Sequence, residues 1–310
     1  MAISNQQKNI YTGIGLAMIT VLIWSGNYVV AKGVSKQMPA VSLAFYRWSL
    51  ASVCIMPFAI KKFNQQKSLI LASSNYIFWT ALTGVTIFNT FIYLGSHYTS
   101  AINLALIGTT SAPVFVTFMG ALFLKEKITR YRITGMLICI AGVAFLLSQG
   151  SLQKLASFHF GIGDVLVLIS AFAFAIYNTL VKKKPAAISP IVFLFTIFTL
   201  GTLLLLPFFI YVTMHSPAIA WNANMLYVII YLGVGNSIIA FLCWNASIEK
   251  LGSSGTALFA NLIPIFSTIE AVIFLGEDFS DIHLISGLIV ISGLIIANIT
   301  RSAVKQAKPL

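Results

Sequence analysis

Gly201-Thr202-Leu203-Leu204-Leu205-Leu206-Pro207-Phe208-Phe209-Ile210 carries no charge and is apolar whichever way its side chains are distributed. The stretch continues without an ionisable residue from Pro190 to Val212. About 20 apolar residues in a helix cross the ~30 Å hydrocarbon core of a bilayer. Inside that core every backbone N–H and C=O must find its partner within the protein, so only a helix or a closed barrel can cross. Barrel strands alternate apolar and polar residues. Neither this stretch nor Leu284–Ile299 alternates, so both predict transmembrane helices.

The whole chain follows the same pattern. Of its 310 residues 58% are hydrophobic and 8% charged, against roughly 45–50% and about 25% in soluble domains, which excludes a water-soluble fold. Apolar windows bounded by charge, proline or glycine predict ten helices near 12–32, 40–60, 76–96, 101–124, 132–148, 161–181, 190–212, 223–247, 254–275 and 283–301. The first follows Lys8 and runs through Trp24-Ser25-Gly26-Asn27-Tyr28 to Lys32, longer than a signal-peptide core and without a small-x-small cleavage site, so it reads as a retained helix.

The formal net charge of +12 would point to nucleic acid in a soluble protein. Here the basic residues stand at helix ends and set orientation. Lys8, Lys61, Lys62, Lys67, Lys125, Lys127, Arg130, Arg132, Lys182, Lys183, Lys184, Lys250 and the tail's Arg301, Lys305 and Lys308 sort to one face. Only Lys32, Lys36 and Lys154 fall opposite, with Glu277, Asp278 and Asp281. Both termini are therefore expected in the cytoplasm, in a multi-pass protein of the inner (plasma) membrane. Cys54, Cys139 and Cys243 lie in apolar segments with no paired spacing, so neither a disulfide framework nor a metal site is expected.

The two halves repeat. Gly13-Ile14-Gly15 matches Gly161-Ile162-Gly163, Pro57-Phe58 matches Pro207-Phe208, Pro113 matches Pro264, and Leu124-Lys125-Glu126 matches Leu275-Gly276-Glu277, at offsets of 148 to 151. Five helices per copy is an odd number, so the copies enter the membrane from opposite sides, as in many secondary transporters. The expected architecture is an all-α membrane protein of two inverted five-helix repeats, 1–148 and 161–301, with an extracytoplasmic linker at 149–160 and a cytoplasmic tail at 302–310. Gly135 and Gly142, like Ser286 and Gly293, stand two turns apart and form small-residue stripes for close helix packing.

Together these residues resemble the ten-helix EamA-like branch of the drug/metabolite transporter superfamily, which includes YddG-type amino-acid exporters. The resemblance covers nearly the whole chain. It rests on Trp24-Ser25-Gly26-Asn27-Tyr28, Pro39 with Arg47-Trp48, Ala112-Pro113-Val114, Leu124-Lys125-Glu126, Gly163-Asp164-Val165-Leu166, Ile263-Pro264-Ile265 and Phe274-Leu275-Gly276-Glu277. It implies an export carrier whose central cavity is lined by helices other than the fifth and tenth, without covalent chemistry. Lys125 departs from the pattern where the second repeat keeps Gly276.

Two ionisable residues, Arg47 and Glu270, fall well inside predicted spans, each about 9–11 Å from an outer helix end at ~1.5 Å rise per residue. A buried charge in a membrane faces a partner or a wet cavity. Three readings stay open: a structural Arg47–Glu270 bridge; Arg47 receiving a substrate carboxylate while Glu270 releases it or titrates; and Arg47 snorkelling to the interface. Asp164 reads as a first-turn charge complementing its helix dipole.

Asn27, Asn89, Asn103, Asn236 and Asn261 lie mid-span, where an amide binds a neighbouring helix or lines water. Pro113 and Pro264 each remove a backbone donor, and paired irregularities in two repeats point to a transport site. With the aromatic residues Trp24, Tyr28, Tyr93 and Tyr177, the candidate substrate-binding set is Trp24, Asn27, Tyr28, Arg47, Asn89, Tyr93, Tyr177, Asn236, Asn261 and Glu270. Aromatic walls, amides and one cation would suit an amphiphilic zwitterion.

No HExxH, GxSxG or Walker sequence is present, so neither an enzyme nor an ATP-driven pump is expected. The expected function is a carrier exporting small metabolites, amino acids foremost, by alternating access, with no cofactor, the lipid bilayer as its surroundings, and proton or other gradient coupling left open. The alternatives are a lipophilic-cation exporter, if Arg47 leaves Glu270 unneutralised, and a channel or structural membrane subunit.

Overall fold

The computed structural model describes the chain apart from residues 1–4, 35–36, 96, 99–100, 127, 157–160, 276–279 and 307–310. All the regular secondary structure among the described residues is helical. The long helices are α1 (Asn5–Val34), α2 (Ala40–Ala72), α3 (Ser74–Gly95), α4 (Ala101–Leu124) and α5 (Arg130–Leu147) in the first half. The second half holds α6 (Ile162–Lys182), α7 (Pro190–His215), α8 (Ala223–Leu251), α9 (Ile263–Leu275) and α10 (Asp281–Gln306). A short helix, Leu152–Ala156, lies between the halves. Among the described residues six helices combine the length and apolarity needed to cross a bilayer: α3, α6, α7, α8, α2 and most of α1.

Local chemistry sets the ends. Pro190 opens α7 behind Ser189, where the missing N–H would have had no helical partner. Asn222 caps α8 by accepting the Met225 N–H at 2.8 Å. Asp164 Oδ2 accepts the Gly161 N–H at 2.6 Å at the start of α6, the first-turn role expected of it. The apolar surface is turned outward as well as inward: α7 buries Phe193, Leu194, Ile197 and Phe198 and exposes Leu203, Phe208 and Met214, as a helix between protein and lipid does. Phe58 and Phe208, beside the repeated prolines, are exposed alike.

Each third helix of the two halves is wound wider for part of its length: Leu82–Ile87 in α3 and Tyr231–Ile239 in α8 form π-helical turns. These turns pack reciprocally on the second helix of the other half. A Cβ at Gly201 of α7 would meet Val85 Cγ1 at 2.3 Å, and one at Gly233 of α8 would meet Leu50 Cδ2 at 2.9 Å. Glycine on one side of each contact lets the helices approach this closely.

The small-residue stripes hold α5 against α10. A Cβ at Gly135 would lie 2.5 Å from the Gly293 carbonyl oxygen, and Ser286 Oγ donates to the Gly142 carbonyl at 2.8 Å. At the other end of α4, Lys125 adopts φ +54°, turning the chain so that the Glu126 carboxylate accepts from Ser253 Oγ at 3.0 Å and Ser254 Oγ at 2.7 Å. Left-handed backbone favours glycine; Gly276, its counterpart, lies outside the described residues.

Candidate functional site

Arg47 is built into the site by its neighbours. It sits on α2 facing the π-helical turn of α8, and 1% of it is exposed, which rules out snorkelling. Its Nε donates to Ser237 Oγ at 2.7 Å, and Nη1 donates to Asn89 Oδ1 at 3.1 Å and Tyr93 OH at 2.9 Å. Nη2 donates to Asn236 Oδ1 at 2.6 Å and, more weakly, to the Asn236 carbonyl at 3.4 Å. The π-helical winding presents that carbonyl: it also accepts Trp24 Nε1 at 3.2 Å, while Ser237 Oγ turns back to the Leu232 carbonyl five residues earlier at 2.8 Å. Irregular turns of this kind are frequent at functional sites.

All five guanidinium donors are thus used, each on a neutral oxygen. The bridge to Glu270, one of the three open readings, is not formed. Glu270 Oε1 instead lies 2.6 Å from Ser25 Oγ, within hydrogen-bond distance, and among the described residues the ion pairs are Arg132–Glu126 and Lys184–Glu249. A shared depth in the membrane did not translate into contact, because α8 supplies Asn236 and Tyr231 to this part of the core. Asn236 Nδ2, at 3.3 Å, and Tyr231 OH, at 2.5 Å, both donate to the Ile23 carbonyl. The hydrogen bonds of Arg47 are satisfied, but among the described residues its charge has no counter-ion.

The guanidinium borders a cavity of about 60 Å³, several times the ~10–15 Å³ that one water requires. Its wall takes Trp24 and Asn27 from α1, Arg47 from α2, Phe88 and Asn89 from α3, Phe174 from α6, and Asn236 and Phe241 from α8. Gly108 and Ala112 of α4 and Ala260 and Ile263 around the start of α9 complete one side. Among the described residues none of α5 or α10 contributes, in keeping with what the resemblance implied. Two buried polar atoms of this wall have no hydrogen-bond partner among the described residues, the donor Asn89 Nδ2 and the acceptor Asn27 Oδ1. Such atoms cost free energy unless something pairs with them.

Aromatic rings close the cavity on one side. Trp24 lies 4.8 Å from Trp244 and 5.9 Å from Phe174, centroid to centroid, and Tyr177 5.7 Å from Phe241. Behind them Trp244 Nε1 donates to Asn178 Oδ1 at 2.9 Å and Tyr177 OH to Asn245 Oδ1 at 2.7 Å.

Five of the ten sequence candidates therefore line the cavity: Trp24, Asn27, Arg47, Asn89 and Asn236. Tyr93 holds Arg47. Tyr177 is fully buried in the aromatic floor, and Asn261, also fully buried, donates to the Leu258 carbonyl at 3.0 Å. Glu270 stands outside the wall, and the side chains of Tyr28 and Asn103 lie outside the described residues. Sequence reasoning missed Ser237, Phe174 and Phe241. A signal for the π-helical turns was present, since Gly84-Val85 and Gly233-Val234 repeat at offset 149.

A helical membrane protein in two halves around a buried, charged cavity is a membrane transporter in class. The EamA-like transporter family model matches residues 11–148 and again 161–299, and the chain belongs to that family. An uncharacterised transporter of Archaeoglobus fulgidus is 30% identical over 281 residues, covering 90% of this chain and 94% of that protein. A probable amino-acid metabolite efflux pump of Salmonella typhimurium is 25% identical, covering 91% of this chain and 93% of that protein. In three dimensions the chain resembles a protein of known crystal structure, with TM-score 0.72 and 16% identity over 96% of this chain and 99% of that one; this likeness concerns the fold.

Proposed function

We propose that the protein is an alternating-access carrier that exports amino acids or closely similar zwitterions, its two five-helix repeats inserted in opposite directions. The observation that carries this reading is Arg47: a cation 1% exposed, bordering the cavity and bonded only to neutral oxygens. A substrate carboxylate would supply the missing negative charge and accept from Asn89 Nδ2, and its ammonium group would donate to Asn27 Oδ1. Charge-assisted bonds of this type are about twice as strong as neutral ones. The rings of Trp24, Phe88, Phe174 and Phe241 would receive an apolar side chain. The Salmonella relative's description as an amino-acid metabolite efflux pump supports the same substrate class.

The distribution of basic residues supports cytoplasmic termini. In that orientation the aromatic floor and the Glu126–Ser253–Ser254 contact lie towards the cytoplasmic side, which supports assigning this conformation to the outward-facing half of the cycle. A second reading, export of lipophilic cations, gains from the absence of an Arg47–Glu270 bridge. The guanidinium in the cavity wall opposes it, because it repels a cation in the space the cation would occupy.

The test is counterflow in proteoliposomes with a panel of radiolabelled amino acids and one quaternary cation. The carrier reading expects saturable uptake accelerated by unlabelled amino acid on the far side. Uptake of the cation alone would favour the second reading, and linear, non-exchanging flux would mark a channel.

A further inference from the structure

Glu270 is the one acid of α9 among the described residues, and it packs against α1 beside the cavity rather than in its wall. Its surroundings fix where a proton must be. Ser25 Oγ lies 2.6 Å from Glu270 Oε1 and 2.7 Å from the Leu22 carbonyl oxygen. A hydroxyl carries one proton, and a backbone carbonyl carries none. Two contacts of this length are both full hydrogen bonds only if two protons are present. The Ser25 proton serves Leu22, in the manner of Thr20 on Leu16 at 2.9 Å, Ser52 on Trp48 at 2.8 Å and Thr80 on Tyr76 at 2.7 Å. The proton of the second contact then belongs to Glu270, which donates to Ser25.

The remaining environment agrees. Glu270 Oε2 is buried and has no hydrogen-bond partner among the described residues, an arrangement far more costly for a carboxylate than for a neutral acid. From α8, Tyr231 faces the carboxyl, but its OH donates to the Ile23 carbonyl at 2.5 Å. Arg47 reaches this region only through Asn236, which donates to the same carbonyl. α4 and the segment 258–262 contain no ionisable residue. On α10, Asp281 and His283 stand at one end and Arg301 and Lys305 at the other. Gly26 lets α1 approach Tyr231 and the acid closely: a Cβ there would come within 2.5 Å of Tyr231 Oη and 3.3 Å of Glu270 Oε2.

We propose that Glu270 is a proton-carrying site that couples the proton gradient to transport. It holds its proton in the conformation described. When α1 and α9 shift and Ser25 and Tyr231 part from it, it ionises, leaving a carboxylate and giving the proton to water on the cytoplasmic side; it is reloaded from outside. The coupling rests on the carrier reading, whereas the protonation does not. The link to substrate runs through Asn236 and Tyr231, which share the Ile23 carbonyl and connect the guanidinium to the acid.

Infrared spectroscopy of the purified, lipid-reconstituted full chain tests the protonation directly. A protonated-carboxyl band at neutral pH, lost in Glu270→Gln and displaced in Ser25→Ala, is expected; absence of a band that responds to these substitutions overturns the proposal. Driven flux tests the coupling. An imposed proton gradient should drive uphill amino-acid movement in wild type and have no effect in Glu270→Gln, in which exchange persists because the amide mimics the neutral acid. Gradient-driven flux surviving in Glu270→Gln, or drive by a sodium gradient in place of a proton gradient, overturns it. Failure of wild type to exchange any compound would instead remove the carrier reading, and the infrared result would still decide the protonation state.

Discussion

Arg47 and Glu270 are the two acidic or basic side chains that fall well inside the apolar windows, and they are accommodated in opposite ways. Arg47 engages Ser237, Asn89, Tyr93 and Asn236 with all of its donors, yet meets no opposite charge among the described residues and borders a cavity. Glu270 has one hydroxyl for two oxygens and stands outside the cavity wall. Full hydrogen bonding with uncompensated charge makes a fixed cation awaiting an anion. Sparse hydrogen bonding makes a group that is stable only when neutral. On the proposed reading the two residues divide the work of binding and coupling, which a direct bridge would have cancelled.

Arg47→Ala breaks the first half of this contrast and should have the largest effect. Removing one partner of a buried charge-assisted contact costs about 2–5 kcal/mol, roughly thirty-fold to several-thousand-fold in affinity. Amino-acid counterflow should fall by that factor while circular dichroism stays unchanged. Gly135→Val separates site from scaffold. Its Cβ would press on the Gly293 carbonyl, a backbone atom that cannot rotate away. The expected loss is about 1–3 kcal/mol of stability, read as a lower melting temperature in detergent, with the KM of the folded fraction unchanged.

Trp24→Phe keeps a ring in the cavity wall but removes the donor to the Asn236 carbonyl. It should weaken binding by about 0.5–1.5 kcal/mol, measured as a higher half-saturation concentration. The smallest effect is expected at Lys125, remote from both residues. Lys125→Gly relieves a φ of +54° that costs a side-chain-bearing residue roughly 1–2 kcal/mol. Set against the added freedom of glycine when unfolded, the melting temperature should rise slightly and transport should not change.

The sequence made the helices legible because bilayer thickness imposes their length and apolarity, and the ten windows coincide with α1 to α10 to within a few residues at most ends. The larger departures are α1, which begins at Asn5, α9, whose α-helix begins only at Ile263 behind the 3-10 segment, and α2, which continues to Ala72 past the apolar window because helix formation does not stop at a membrane surface. Depth along each helix was equally legible, but facing direction was not. Depth brought Arg47 and Glu270 level, while rotation about the helix axes, which no apolar window records, turned them to different neighbours. Tyr177 and Asn261 were displaced from the cavity for the same reason.

The prolines misled in part. Leu258–Leu262 winds as a 3-10 helix just ahead of Pro264, but Pro113 sits within the α-helix Ala101–Leu124. The irregularity present in both halves is the π-helical pair, marked in sequence only by a repeated Gly-Val. A π turn differs from an α turn by one residue per hydrogen-bonded ring, and side-chain chemistry carries little trace of that.

Carboxylate recognition by Arg47 is the central claim, and the most direct measurement compares an amino acid with its carboxamide, by counterflow competition, in wild type and in Arg47→Ala. Wild type should prefer the carboxylate by at least about ten-fold, the equivalent of ~1.4 kcal/mol, and Arg47→Ala should lose that preference. Equal competition by acid and amide in wild type, or an undiminished preference in Arg47→Ala, would contradict the account.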